Sequence, residues 1–216
     1  MTTKNRRLLL ICANPASLLS LAGTAAATLA MILAVKGVVE LALVGLMLAG
    51  LADLFDGVIA RRLVLDEYEK EFGIQLDTVV DAVSFVATPV VVVLCSEASA
   101  LPIQIGIVLF VMAGMTRLAH FNTSAVGGTD QSTHHQGLPV TYTALIFPFV
   151  FLLSDQLPPE AFQFLLGLLF PLIGLLFVVN IPVPKPRGVF YLILPLLALA
   201  LSVHWIRQFM ISVGHA

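Results

Sequence analysis

The sequence predicts an all-α, polytopic helical membrane protein, and three observations carry that prediction. Of the 216 residues, 59% are hydrophobic and only 11% are Asp, Glu, Lys or Arg, where a soluble domain of this size carries about 25% charged residues. The mean hydropathy is +1.00. The apolar residues come in long runs separated mostly by short polar or proline-rich connections. A soluble fold could not hide this much apolar surface, because a folded chain of this length still exposes about a third of its area. Extracellular disulfide scaffolds and disordered linkers are excluded with it. The formal net charge of -2 supplies no field to recruit nucleic acid.

A bilayer core about 30 Å thick needs about 20 apolar residues per helix, with about 17 as the lower limit. The candidate spans are 17–35, 38–60, 74–94, 101–119, 138–153, 162–179 and 188–206. They number seven, give or take one, so the expected architecture is a bundle of six to eight transmembrane helices. The basic start, with Lys4, Arg6 and Arg7, reads as a short lead into a retained first helix, because further spans follow it. The run at 138–153 is the weakest, being short and carrying Pro139 and Pro148, although prolines are tolerated in membrane helices. The runs at about 162–206 add C-terminal transmembrane helices. Residues 1–216 read as a single integral membrane catalytic domain, with no internal repeat. Cys12 and Cys95 sit in or beside apolar runs and read as small buried hydrophobes.

Two connections, 61–72 and 120–137, are longer and chemically richer than the rest, and the polar run 123–136 suits a flexible lid or a plain loop equally. With the N-terminus in the cytoplasm, that face holds Lys4, Arg6, Arg7, Arg61, Arg62, Lys70, Arg117, Lys185 and Arg187. The opposite face holds Lys36 and Arg207, so nine of eleven basic residues share one side. This is a strong positive-inside bias, and both long connections lie on the basic side.

Four carboxylates interrupt otherwise apolar helices: Asp53, Asp56, Asp77 and Asp81. Each would cost about 2.5–3.5 kcal/mol at a bilayer centre if unpaired. Asp53 and Asp56 are spaced i,i+3, and Asp77 and Asp81 i,i+4, so each pair shares a helix face. Asp53 lies about 10 Å below its helix end at 1.5 Å per residue, and the second pair lies at similar depth on the returning helix. All four can meet in one pocket under the cytoplasmic interface. Like charges that close need a bridging cation. Oxygen ligands without Cys or His favour Mg2+ or Mn2+, with Ca2+ also compatible. A metal so held points to phosphate substrates. Along α-helical spacing, Gly57 and Ala60 continue the stripe of Asp53 and Asp56, and their minimal side chains allow close approach. Arg61 follows with a guanidinium suited to phosphate, and Gly73 sits one turn before Asp77. A polar interhelical network or a cation-transport path are the competing readings. A transport path should continue in polar residues to the far face, and there the spans are apolar.

Together these residues spell Asp53-x-x-Asp56-Gly57-x-x-Ala60-Arg61, eleven residues, then Gly73-x-x-x-Asp77-x-x-x-Asp81. The pattern resembles the signature of the CDP-alcohol phosphatidyltransferase family at all eight defining positions. The resemblance implies displacement of CMP from CDP-diacylglycerol by the hydroxyl of a second alcohol, in a helical bundle of that family's type. It implies that Asp53, Asp56, Asp77 and Asp81 hold divalent metal and that Asp81 is also the catalytic base. Asn14, Asp53, Gly57, Ala60, Arg61 and Gly73 would contact the CDP-lipid, with Asn14-Pro15 resembling the family's Pro-Asn region in reversed order. It further implies a homodimer in the inner (cytoplasmic) membrane, with N-terminus and active site facing the cytoplasm. The small pair Gly45 and Ala49 is a candidate dimer face.

The acceptor is read from the second half. Arg117-Leu118-Ala119-His120-Phe121-Asn122, followed by Gly137-Leu138-Pro139, resembles the phosphatidylserine synthase branch. His120 stands where that branch commonly has arginine, and Thr141 where it often has proline. Arg117 and Asn122 are the acceptor-binding candidates, since L-serine brings a carboxylate. Other small alcohols, such as glycerol 3-phosphate or inositol phosphate, remain alternatives, and the roles of His134 and His135 stay open.

Overall fold

The computed structural model describes residues 14–96, 101–126, 134–184 and 188–214, with backbone only at 124–126, 134–136 and 184. Cys12 and the basic residues Lys4, Arg6, Arg7, Lys185 and Arg187 lie outside the described residues. Helix α1 spans Pro15–Val35 and α2 spans Val39–Ala60. Asn14 caps α1 by accepting the Ser17 N–H at 2.9 Å, with Pro15 at the first helical position, where its missing N–H costs nothing.

The α1–α2 contact is the most extensive in the bundle, and small residues make it. A Cβ added at Gly45 would meet Ala30 Cβ at 2.9 Å, and one at Gly23 would meet Ala52 Cβ at 2.9 Å. Lipid gives helices no hydrophobic reason to associate, so close packing of small residues does that work. The Gly45 and Ala49 face, expected as a dimer surface, is therefore covered within the chain: Ala49 is only 2% exposed.

Helix α3 covers Glu67–Asp81. It begins well before the apolar run because Asp66 and Glu69 form a reciprocal capping box, which stabilises a polar first turn. A π-helical turn, Ala82–Ala87, follows directly and leads into α4, Thr88–Cys95. Pro89 supplies no N–H to the carbonyl of Phe85. That carbonyl instead accepts the hydroxyl of Thr143 at 2.9 Å, and Thr88 Oγ1 donates back to Val83 at 2.9 Å. Such π turns concentrate at functional sites, and this one starts on the residue after Asp81.

Helix α5, Leu101–Val126, runs past its apolar stretch, so Arg117, His120 and Asn122 stand on a helix. Two three-residue strands add to the all-α expectation: β1, His134–Gln136, pairs antiparallel with β2, Pro182–Pro184. The zipper continues as Gly137 donates to Ile181 at 2.8 Å and Leu138 to Leu176 at 2.9 Å. Gly137 has φ 79°, and a Cβ there would stand 2.7 Å from the Phe177 carbonyl oxygen. Only glycine fits that position.

The run at 138–153 forms a 3-10 turn at Val140–Tyr142, helix α6 at Thr143–Val150 and a second 3-10 turn at Phe151–Leu153. Helix α7, Pro159–Val178, returns to the paired strands, and α8, Phe190–Gly214, packs on α2. Among the described residues six helices are long and apolar enough to cross a membrane, and Val140–Leu153 is a shorter apolar one. Phe110, Phe147 and Phe170 interlock α5, α6 and α7, with Phe110 edge-on to Phe170 at 5.2 Å. Trp205 on α8 donates to the Pro148 carbonyl of α6 at 3.2 Å.

Candidate active site

The short connection at 61–66 joins α2 to α3, and carboxylates from the two helices converge. Asp53, Asp56 and Asp77 each offer an oxygen within 4.8 Å of the others. Asp81 joins through its contact with the Asp53 carboxyl. Its Oδ1 is buried without a hydrogen-bond partner among the described residues, a costly state for a carboxyl oxygen. Three converging carboxylates suit a divalent cation, and the unsatisfied oxygen of Asp81 suits a further polar ligand. The residues present therefore fit the metal that the sequence implies.

Two cavities flank this cluster. The larger, about 390 Å³, is lined by Asn14, Gly57, Ala60, Arg61 and Gly73 together with Asp56 and Asp77. Every residue proposed from sequence to hold CDP-lipid lines it, apart from Asp53. Gly57 and Gly73 have nothing within 4 Å of the place a Cβ would take. They leave room in the cleft and pack against no helix, unlike Gly23 and Gly45. The smaller cavity, about 210 Å³, is lined by Asp53, Asp81, Arg117, Thr141, Tyr142 and Tyr191. Gly57, Arg61 and Asp77 line both. The carboxylates thus stand at a wall between two chambers. The smaller chamber is floored by the irregular backbone at 139–142, which a membrane protein tolerates where it borders a polar cavity.

Arg117 is 7% exposed, and its guanidinium carbon lies 6.0 Å from the centre of the Phe121 ring, within cation–π range. Asn122 behaves differently from its sequence partner. It donates to Thr78 Oγ1 at 2.7 Å and to Gln75 Oε1 at 3.3 Å, which ties α5 to α3, and it lines neither cavity. His120 is exposed on α5. The side chains of His134 and His135 lie outside the described residues.

Sequence reasoning missed three side chains. Ser20 on α1 donates its hydroxyl to Asp56 Oδ2. Its signal was a row of hydroxyls at helical spacing, Ser17, Ser20, Thr24 and Thr28, in a small-residue helix. Tyr142 and Tyr191 have no comparable local sign, since each reaches the site only through tertiary packing.

The model of one protein family, described as CDP-alcohol phosphatidyltransferase, matches residues 11–213. A comparison with curated proteins finds no match.

Proposed function

From the chain's membership of the CDP-alcohol phosphatidyltransferase family, we propose that it makes phosphatidylserine from CDP-diacylglycerol and L-serine. The family chemistry is transfer of a phosphatidyl group from CDP-diacylglycerol to an alcohol, and the polytopic helical bundle sets that chemistry in a membrane. The observation that carries the finer reading is the buried Arg117, which lines the same smaller cavity as Asp81. That chamber is sized for a small alcohol, and a guanidinium there pairs with a carboxylate.

In this reading the larger cavity takes the CDP moiety, with Asn14, Gly57, Ala60, Arg61 and Gly73 against the nucleotide and its phosphates. The acyl chains stay in lipid. The smaller cavity takes serine, its carboxylate on Arg117 and its hydroxyl towards Asp81. The hydroxyl oxygen forms a bond to the phosphorus of the phosphatidyl group, and the bond from that phosphorus to the bridging oxygen of CMP breaks. CMP leaves with the bridging oxygen, and the hydroxyl proton passes to Asp81. A divalent cation, Mg2+ or Mn2+ with Ca2+ compatible, held by Asp53, Asp56 and Asp77 with Asp81 adjacent, supplies charge neutralisation at the pyrophosphate and leaving group. Ser20 orients Asp56, and Asn122 acts on the acceptor side by fixing Thr78, next to Asp77. The catalytic domain includes α8, whose Tyr191 lines the acceptor chamber. Its basic face is cytoplasmic, as the positive-inside bias requires, and the functional unit is a homodimer that uses a face other than Gly45 and Ala49.

Arg61 also lines the acceptor cavity, and this favours a second reading. Two guanidiniums could hold a phosphorylated alcohol such as glycerol 3-phosphate or inositol phosphate. Purified protein given CDP-diacylglycerol, Mg2+ or Mn2+ and each acceptor in turn should release CMP with L-serine alone. Release with a phosphorylated acceptor would replace serine, and no release from folded protein would remove the reading. Because the two chambers adjoin across a shared wall, donor and acceptor bind together. Double-reciprocal plots should therefore intersect, whereas parallel lines would mean a covalent phosphatidyl-enzyme.

A further inference from the structure

One hydrogen bond in the site joins residues 130 positions apart: Arg61 Nη2 donates to Tyr191 Oη at 2.9 Å. Arg61 closes the C-terminal end of α2 and borders both cavities, while Tyr191, in the first turn of α8, borders only the acceptor cavity. An exposed arginine at a helix end samples many rotamers unless something holds its fork. The tyrosine is a rigid anchor, half-buried and with a single hydroxyl. It takes one of the five guanidinium donors and leaves the others for anionic oxygen.

We propose that Tyr191 is a positioning residue for the transfer reaction, holding Arg61 at the boundary of the two cavities so that its guanidinium meets the donor phosphates. This rests on the reading of the larger cavity as the CDP-lipid site. It makes α8 a working part of that site. Without the hydroxyl, Arg61 must give up rotamer freedom each time the donor binds, so the loss falls on donor affinity more than on turnover of bound substrate.

The test uses the full chain in detergent with CDP-diacylglycerol, Mg2+ and the acceptor that supports CMP release. Tyr191→Phe keeps the ring and its packing while removing the hydroxyl. It should raise both KM and the dissociation constant for CDP-diacylglycerol by about tenfold, and change kcat by less than about threefold. In an Arg61→Ala background the same substitution should leave the dissociation constant unchanged within about twofold, because the group it acts through is gone. An unchanged dissociation constant in the wild-type background overturns the proposal. So does an equal loss in both backgrounds, which would place the effect in the packing of α8. Absence of CMP release from the unaltered protein would instead count against the enzymatic reading, and the binding measurements would still report on Tyr191.

Discussion

Asp81→Asn should lower the rate of CMP release by about 10³-fold, the scale of a lost general base, while CDP-diacylglycerol still binds. The amide matches the carboxyl in size, so the buried position keeps its packing. Asp81 lines the acceptor chamber and not the larger cleft, and its Oδ1 has no partner among the described residues. Both facts suit the proposed role of Asp81 on the acceptor hydroxyl. Turnover and donor affinity, measured on the same preparation, separate the two roles that the family pattern gives this residue. If donor binding disappears together with turnover, Asp81 acts first as a metal ligand. If CMP release stays above about a tenth of the unaltered rate, it is not the base.

The second large effect sets two glycines of one helix against each other. Gly57→Leu should reduce turnover by about 10²-fold, the scale of a misplaced reactant, and leave the melting temperature in detergent nearly unchanged. The added side chain starts into the open cleft, since nothing beyond its own stretch of helix lies within 4 Å of the Cβ position. Gly45→Leu should do the reverse. Its Cβ alone would press to 2.9 Å from Ala30 Cβ and 3.0 Å from the Ala26 carbonyl oxygen, and overpacking of this kind costs about 1–3 kcal/mol or more. The measurement is a pair of melting curves beside a pair of CMP-release rates. Equal loss of thermal stability in both variants would sink the assignment of Gly57 to ligand approach.

Much of this site was legible in the sequence because carboxylates inside apolar helices break a strong rule. Asp53, Asp56, Asp77 and Asp81 stand out for their cost in lipid, and their helical spacing assigns them to facing surfaces. Gly57, Ala60, Arg61 and Gly73 were legible as neighbours in the same register. The span boundaries were less so. Hydropathy passes over the polar first turns of α3, which its capping box stabilises, and over the polar end of α5, so Arg117 and Asn122 looked like residues at a helix end and in a loop. Shortness and two prolines marked 138–153 as the weakest span, and Val140–Leu153 is a shorter apolar helix outside the six long ones among the described residues. Tyr191 and Tyr142 carry no local signal. Arg61 finds Tyr191 only because α8 packs on α2, and periodicity holds no information about which helices are neighbours. Asn122 shows the converse case, a residue whose chemistry suggested a substrate and whose geometry gives it to Thr78.

The smaller cavity, the proposed acceptor chamber, reaches Asp53, about 10 Å along α2 from its end at 1.5 Å per residue, a distance equal to about a third of an apolar layer. A soluble acceptor that descends this far moves through part of the transmembrane electric field. Moving one elementary charge across the whole field is worth about 2.3 kcal/mol per 100 mV. An acceptor with net charge therefore has its affinity tied to how strongly the cell is energised. Zwitterionic serine carries no net charge and is only turned by the field. If serine is the acceptor, as proposed, a pocket sunk in this way holds it at one affinity whether the membrane is charged or not.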